Sequence, residues 1–419
     1  MSGHTVQSLC YRLSVPTYLA ARAADRWFPG VLASGWVPGL TAIRTERHPL
    51  PGPEWLRLRP LLCGICGSDL AVLTGRSSPA LSPFVSFPAV LGHEIVAQVS
   101  EVGAAVPGVQ PGDRVVVDPF ISCTVRGLDP CPSCCRGEPS LCTHAAEGAL
   151  APGMLIGYCR DLPGGWSEEM VAHRTQLFRV PPTVPDPLAV LIEPLSVGLH
   201  AVLKLPPATG SRVLILGGGT VGLCVLAALR LLARPCHVTV VARYPFQAHL
   251  ASTLGADGVV LEGPGAGRSV GDAAVQRAGA RVYQPLRGRP VYAGGFDWVY
   301  DCVGSPDSLD GSLRVAGPRG RVVLVGCAGE IPRLDWSFVW ARELHITGSY
   351  GYGREPSLEG GPHTFAVALR LVEEHPSYPL ADLVTHRFPL ARWREAIRVS
   401  LRRRQYESVK TVFDGRPDR

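Results

Sequence analysis

Two rhythms of apolar and polar residues divide this chain. Up to about residue 190, short apolar runs broken by Gly and Pro recur, as in PAVLGHEIVAQVSEVG (88–103) and GDRVVVD (112–118). Such spacing predicts an irregular, partly barrel-like β domain. From Arg212 the rhythm changes. RVLILG (212–217) reads as a buried strand, GTVGLCVLAALRLLA (219–233) as a helix and HVTVVA (237–242) as a second strand. A helix over 246–254, strands at GVVL (258–261) and FDWVYDCVG (296–304), a helix near 307–315, and strands at RVVLVG (321–326) and ELHITGSYG (343–351) continue the series. Strands alternating with helices predict a parallel, doubly wound sheet. The stretch 262–295 reads as a helix (270–279) plus an enlarged loop. After about 352 the chain is expected to return to the first domain, with HTFAVALRLVEE (363–374) as an amphipathic helix.

Composition narrows the class. Apolar residues at 46% and charged residues at 18% give material for a sizeable core and exclude a disordered chain, and 419 residues suggest two domains. Residues 213–233 have the length of a membrane span, but Gly217–Gly219 and Arg230 argue for strand, turn and helix, so no membrane partner is expected. The net charge of +6 is scattered. Its one tight cluster, Arg402–Arg404 with Arg394 and Arg398 upstream, reads as a solvated helix face and not as a nucleic-acid surface. The N-terminus lacks a basic segment followed by an apolar run, so no secretory signal and a cytoplasmic location are expected.

The cysteines carry the chemistry. Cys123, Cys131, Cys134 and Cys142 follow the spacing C-x7-C-x2-C-x7-C, and four thiolates can close a tetrahedral zinc site. Cys66 in GICGSD (64–69) and His93 in GHE (92–94) form a second, incomplete set, of the kind that leaves a coordination position open. Disulfides are the alternative. Thirteen cysteines would leave at least one unpaired, and a reducing compartment disfavours them.

Gly217, Gly218, Gly219, Thr220, Val221 and Gly222 fit G-x-G-x-x-G between a strand and a helix. The glycines allow a tight turn, backbone approach to a pyrophosphate and close helix–sheet packing, and the helix start favours phosphate charge. A nucleotide is the expected ligand.

Taken in order, GICGSD (64–69), GHE (92–94), the four-cysteine lobe, IEPLSVGLHA (192–201), LGGGTVGL (216–223) and GRVVLVG (320–326) resemble the zinc-containing medium-chain alcohol and polyol dehydrogenases, nearest the polyol, sugar and threonine branch. The resemblance implies an α/β chain: a GroES-like, β-rich catalytic domain (1–192, resumed over 352–419) around a Rossmann doubly wound sheet (193–351). It implies Zn²⁺, two per chain, a small-molecule alcohol or carbonyl substrate, and a homodimer or homotetramer. The implied reaction passes hydride between an alcohol carbon and a nicotinamide.

Carried over by position, the catalytic metal ligands fall on Cys66, His93, and Glu94 or Glu193, which either alternate or exchange; Glu193 has helix capping as its other reading. Asp69 would hold the His93 ring. Ser68 matches the first proton-relay hydroxyl, but Ala71 stands where many relatives continue the relay with histidine. Lys410 matches a basic position that reaches the cofactor pyrophosphate, with a solvated edge-strand lysine as the alternative. Cys63 reads as a buried thiol beside the ligand. The four-cysteine lobe departs from the family's pattern by a lengthened loop after Cys123, and Cys135 is surplus. Trp166 and Tyr158 line a pocket or fill core.

NAD-preferring members place an acid at the end of the second strand. That position falls on Ala242, followed by Arg243 and Tyr244, which points to NADP, with NAD as the alternative. A zinc-independent quinone or enoyl reductase and a non-catalytic member are the competing functions. Retention of the whole ligand set argues against both.

Overall fold

The computed structural model describes residues 5–416 apart from 33, 48, 263–270, 328, 332 and 333. The alternating half folds as the apolar runs require. Six strands form one parallel sheet in the order Gly258–Leu261, His237–Ala242, Arg212–Leu216, Phe296–Asp301, Ala316–Leu324, His345–Gly348. Val213, Leu214 and Ile215 are wholly buried because helices cover both faces, which is why this strand is an unbroken apolar run. The chain runs outward from Arg212–Leu216 in one direction, then crosses back to Phe296–Asp301 on its other side. This reversal opens a crevice at the carboxyl ends of those two strands, where such sheets take their ligands.

The first half builds a second sheet in the order Val384–Pro389, Lys410–Asp414, Trp55–Gly64, Ile95–Val102, Arg114–Val117, Leu177–Arg179, with Met170–His173 also pairing with Trp55–Gly64. Two of its strands, Val384–Pro389 and Lys410–Asp414, come from the last part of the chain. The helix Ile192–Lys204 joins the two units. Leu195, Leu199 and Val202 lie in one buried cluster with Leu62 and Val96 of the mixed sheet, Val240 of the parallel sheet and Leu223 of the helix Thr220–Leu231.

Two regions differ from the sequence reading. The stretch after Glu262 holds a helix, Gly271–Arg277, and then an antiparallel hairpin, Arg281–Tyr283 with Val291–Ala293, in place of a plain loop. Residue 270, the expected helix start, lies outside the described residues. The N-terminal segment forms a small sheet of its own, Leu40–Glu46 with Thr5–Tyr11 and Ala89–Val90, plus the helix Val15–Trp27. Among the described residues no helix is long and apolar enough to cross a membrane.

Candidate active site

Strand Trp55–Gly64 ends in a turn that hands Cys66 to the start of the helix Gly67–Leu73. Asp69, wholly buried, accepts from the Cys66 N–H at 2.9 Å and from the Tyr158 hydroxyl at 3.1 Å. Its other contact is His93 Nδ1, 3.4 Å from Oδ1 as an ion pair without hydrogen-bond geometry. Burial is the largest influence on His93 and opposes its protonation, but Asp69 and Cys66 together outweigh it and hold the ring's pKa well above its ordinary value. Asp69 thus holds the Cys66 backbone by a hydrogen bond and acts on the His93 ring by its charge, without the hydrogen bond its expected role calls for. Ser68 Oγ lies 3.5 Å from His93 Nε2.

Donor atoms of Cys66, His93 and Glu94 all fall within 4.8 Å of one another. One sulfur, one nitrogen and one carboxylate oxygen in that space fit a divalent zinc with a position left open. Cys63 takes no part. It is buried and free, and burial pushes its thiol pKa far up.

Glu193 stands outside that set. Its Oε1 accepts from the Tyr352 hydroxyl at 3.0 Å, and burial lifts its pKa to about 7. Glu193 stands in the first turn of a helix whose N-cap is Leu191, and its carboxylate is bonded to Tyr352. Lys410 is neither solvated nor on an edge. Its ammonium lies 2.6 Å from both oxygens of Glu94, with each residue under 4% exposed, on a strand flanked by neighbours on both sides. It is therefore committed to Glu94, and the expected reach to a pyrophosphate is not what this geometry provides.

The second set is closed. The sulfurs of Cys123, Cys131, Cys134 and Cys142 lie within 4.8 Å of one another, and Cys123 and Cys142 are 3.5 Å apart. Sulfurs at about 2.3 Å from a tetrahedral zinc are separated by about 3.8 Å, so the four fit the ion. Burial opposes ionisation of Cys131, yet backbone N–H donors of Cys134 and Thr143 bring its pKa to about 5. Cys135 is exposed and bonds the Pro130 carbonyl, outside the set. The lengthened loop after Cys123 is anchored by Arg126, buried and donating to the carbonyls of Glu147, Leu150, Ala151 and Gly153.

The glycine turn has the shape its motif requires. Gly217 has φ +104°, open to glycine, and a Cβ on Gly222 would overlap the Gly217 carbonyl oxygen. Gly218 packs beside Ala242, and Gly219 caps the helix Thr220–Leu231. The Thr220 hydroxyl donates to Val409 O at 3.1 Å, tying the turn to the C-terminal segment; Val221 packs against the core. Beyond Ala242, the Arg243 N–H donates to Gln247 and the Arg243 guanidinium lies 5.7 Å from the Tyr244 ring centre, which stacks on Phe246. Glu262, at the end of the neighbouring strand, feels the Arg243 charge without pairing with it.

Trp166 is core: it is wholly buried and its Nε1 donates to Gly64 O at 3.2 Å. Tyr158 is the one of the pair that faces the site, through Asp69 and with its ring 5.8 Å from His93. Two residues escaped the sequence reading. Tyr352, which holds Glu193, lies 159 positions away from it with no motif to mark it. Tyr350 packs edge-on against Phe120, and burial raises its pKa to about 12 while His93, Cys327 and Glu193 act on it electrostatically.

Fold and site together define a two-unit dehydrogenase with an open metal set beside a dinucleotide crevice. The alcohol dehydrogenase GroES-like domain matches residues 52–182 and the zinc-binding dehydrogenase domain residues 220–374. The chain is 32% identical over 311 residues to (R,R)-butanediol dehydrogenase of Saccharomyces cerevisiae, covering 69% of this chain and 74% of that one. It is 26% identical to sorbitol dehydrogenase of Arabidopsis thaliana, over 91% of this chain and 94% of that one. A zinc-binding dehydrogenase from Sinorhizobium meliloti, solved bound to NADP, superposes with a TM-score of 0.71 at 27% identity, over 98% of this chain and 99% of that one. The chain belongs to the zinc-containing medium-chain alcohol and polyol dehydrogenase family, and it is an enzyme of that class.

Proposed function

We propose that this enzyme is a zinc-dependent oxidoreductase that passes hydride between NADP(H) and a primary or secondary alcohol: a polyol, a sugar or another hydroxylated metabolite. Residues 1–192 and 352–419 act as the catalytic unit and 193–351 as the nucleotide-binding unit. The observation that carries the reading is the convergence of Cys66, His93 and Glu94 within 4.8 Å in a chain that also holds the Gly217–Gly222 turn. Cys66, His93 and Glu94 would hold the catalytic zinc, and Cys123, Cys131, Cys134 and Cys142 a structural one. A zinc ion at the open set supplies Lewis acidity toward the alcohol oxygen.

The chain's own groups do the rest. Asp69 fixes His93, and Lys410 neutralises Glu94, so the donor set is pre-arranged before substrate arrives. Glu193, which the Tyr352 hydroxyl holds, is the alternative carboxylate. Ser68 Oγ takes the alcohol proton, and with Ala71 in place of a histidine the onward path runs through water. The amides at Gly218–Val221 receive the pyrophosphate, and Arg243 with Tyr244 takes the adenosine ribose and its 2′-phosphate. The S. meliloti relative, solved with NADP, supports that choice; an Escherichia coli alcohol dehydrogenase of the same fold, at 23% identity, was solved with NADH. The enzyme is taken as a cytoplasmic homodimer or homotetramer.

The test is a screen of polyols, sugars and simple alcohols with NADP, following the absorbance of the reduced nicotinamide before and after metal chelation. Turnover that chelation removes is expected. Turnover that survives complete removal of metal would favour the zinc-independent reductase instead.

A further inference from the structure

Lys410 is one of only two lysines in the chain, and Glu94 occupies it. A different cation faces the phosphate-binding turn. The helix Trp393–Leu401 ends at Arg402, and a single helical turn, Arg403–Tyr406, leads into the strand Lys410–Asp414 of the catalytic sheet. This brings Arg403 over the nucleotide helix. Its Nη1 stands 3.9 Å from where a Cβ on Gly219 would be, with nothing else so near that point. Gly219 is the N-cap of Thr220–Leu231, so the guanidinium hangs over unpaired amide N–H groups.

The surroundings call for an anion. Arg402, Arg403 and Arg404 line a cleft of about 420 Å³ with Tyr244, the residue that follows Ala242 and Arg243 at the end of the second strand. Arg403 spends its Nε on the Ser400 carbonyl and Arg402 one Nη on Gln405; among the described residues none of the three arginines forms an ion pair with a carboxylate. Burial lowers the pKa of Arg403, and the charges that offset it in part are those of Cys66, Tyr244 and Glu94. A partly sunken guanidinium without a counter-charge is costly unless a ligand supplies one. Arg394 and Arg404 keep the solvated face expected from the sequence, while Arg403 between them is half-buried and turned toward Gly219.

We propose that Arg403 clamps the cofactor pyrophosphate against the Gly217–Gly222 turn, in the role expected of Lys410. The proposal rests on the nicotinamide-dinucleotide reading of that turn but not on the choice between NADP and NAD. Arg403 belongs to the catalytic unit and Gly219 to the nucleotide sheet, so the pyrophosphate bridges the two and cofactor binding braces the cleft between them.

The test is equilibrium binding of NADPH and of NADH to wild-type enzyme and to Arg403→Ala, Arg403→Gln and Arg403→Lys, with the melting temperature of each in the absence of cofactor. Arg403→Ala should weaken both dinucleotides by the same factor, about 10- to 100-fold, the scale of a lost charged hydrogen bond. Arg403→Lys should recover part of it, and the cofactor-free melting temperature should hold. Arg403→Gln, which keeps a polar end, is measured alongside so that a folding defect in the alanine variant does not decide the matter. Unchanged affinity for both dinucleotides would overturn the proposal. So would a loss confined to NADPH, which would move Arg403 to the 2′-phosphate. Wild-type enzyme that binds neither would overturn the dinucleotide reading itself, and the clamp with it.

Discussion

The Lys410 ammonium sits 2.6 Å from both carboxylate oxygens of Glu94, in a pocket that leaves neither residue more than 3% exposed. Breaking a buried pair by removing one partner leaves an uncompensated charge and costs about 3–5 kcal/mol. Lys410→Met should therefore destabilise the enzyme on that scale in urea unfolding, and Lys410→Met with Glu94→Gln should recover much of the loss. A cost below about 1 kcal/mol for the single variant would mean that Glu94 has another counter-charge.

Ser68 is the only hydroxyl bonded to His93 among the described residues, and no histidine stands at position 71 to share its work. Ser68→Ala should lower kcat about 100-fold, the usual scale of a positioned acid–base group, while leaving dinucleotide affinity unchanged. Wild-type kcat across the pH range would remove Ser68 from the proton path.

The cofactor ratio tests the end of the second strand. Arg243→Ala should lower kcat/KM for NADP and spare NAD, and Ala242→Asp should reverse the preference by repelling the 2′-phosphate. Glu262, close enough to feel Arg243, makes the wild-type ratio informative in itself. A kcat/KM for NAD above that for NADP in the unmodified enzyme would contradict the assignment.

The parts of this molecule that were legible in the sequence are those set by local pattern. The run RVLIL emerged as the strand Arg212–Leu216 because parallel strands covered on both faces carry no alternation. The motif residues Cys66, His93 and Glu94 converged because each sits at a strand end or turn with a fixed role. What stayed hidden depends on closure in space. Arg403 looked like surface because it stands in a run of three adjacent arginines, and only the packing of the return segment turns its guanidinium toward Gly219. Tyr352 meets Glu193 across 159 residues. The N-terminal sheet was missed because Leu40–Glu46 is mostly exposed and shows no clear apolar face.

The two metal sets should respond differently to loss of one thiol. Cys134→Ser removes a ligand from a closed set, whose binding free energy is folding free energy, and should lower the melting temperature and expose the 123–142 lobe to proteolysis. The open set holds its protein partners together through Asp69, so Cys66→Ser should keep the wild-type melting temperature to within a few degrees. Equal destabilisation by both substitutions would mean that the sets are not divided into structural and catalytic roles.

The central claim is an open zinc set that carries the hydride-transfer activity, separate from a closed one. The most direct measurement is zinc per chain by native mass spectrometry, on the same wild-type and Cys66→Ser preparations assayed for alcohol-dependent NADP reduction. The account predicts two zinc ions in active wild type, and one in a folded Cys66→Ser enzyme that no longer turns over. One zinc per chain in fully active wild type, or an unchanged count with undiminished turnover in Cys66→Ser, would contradict it.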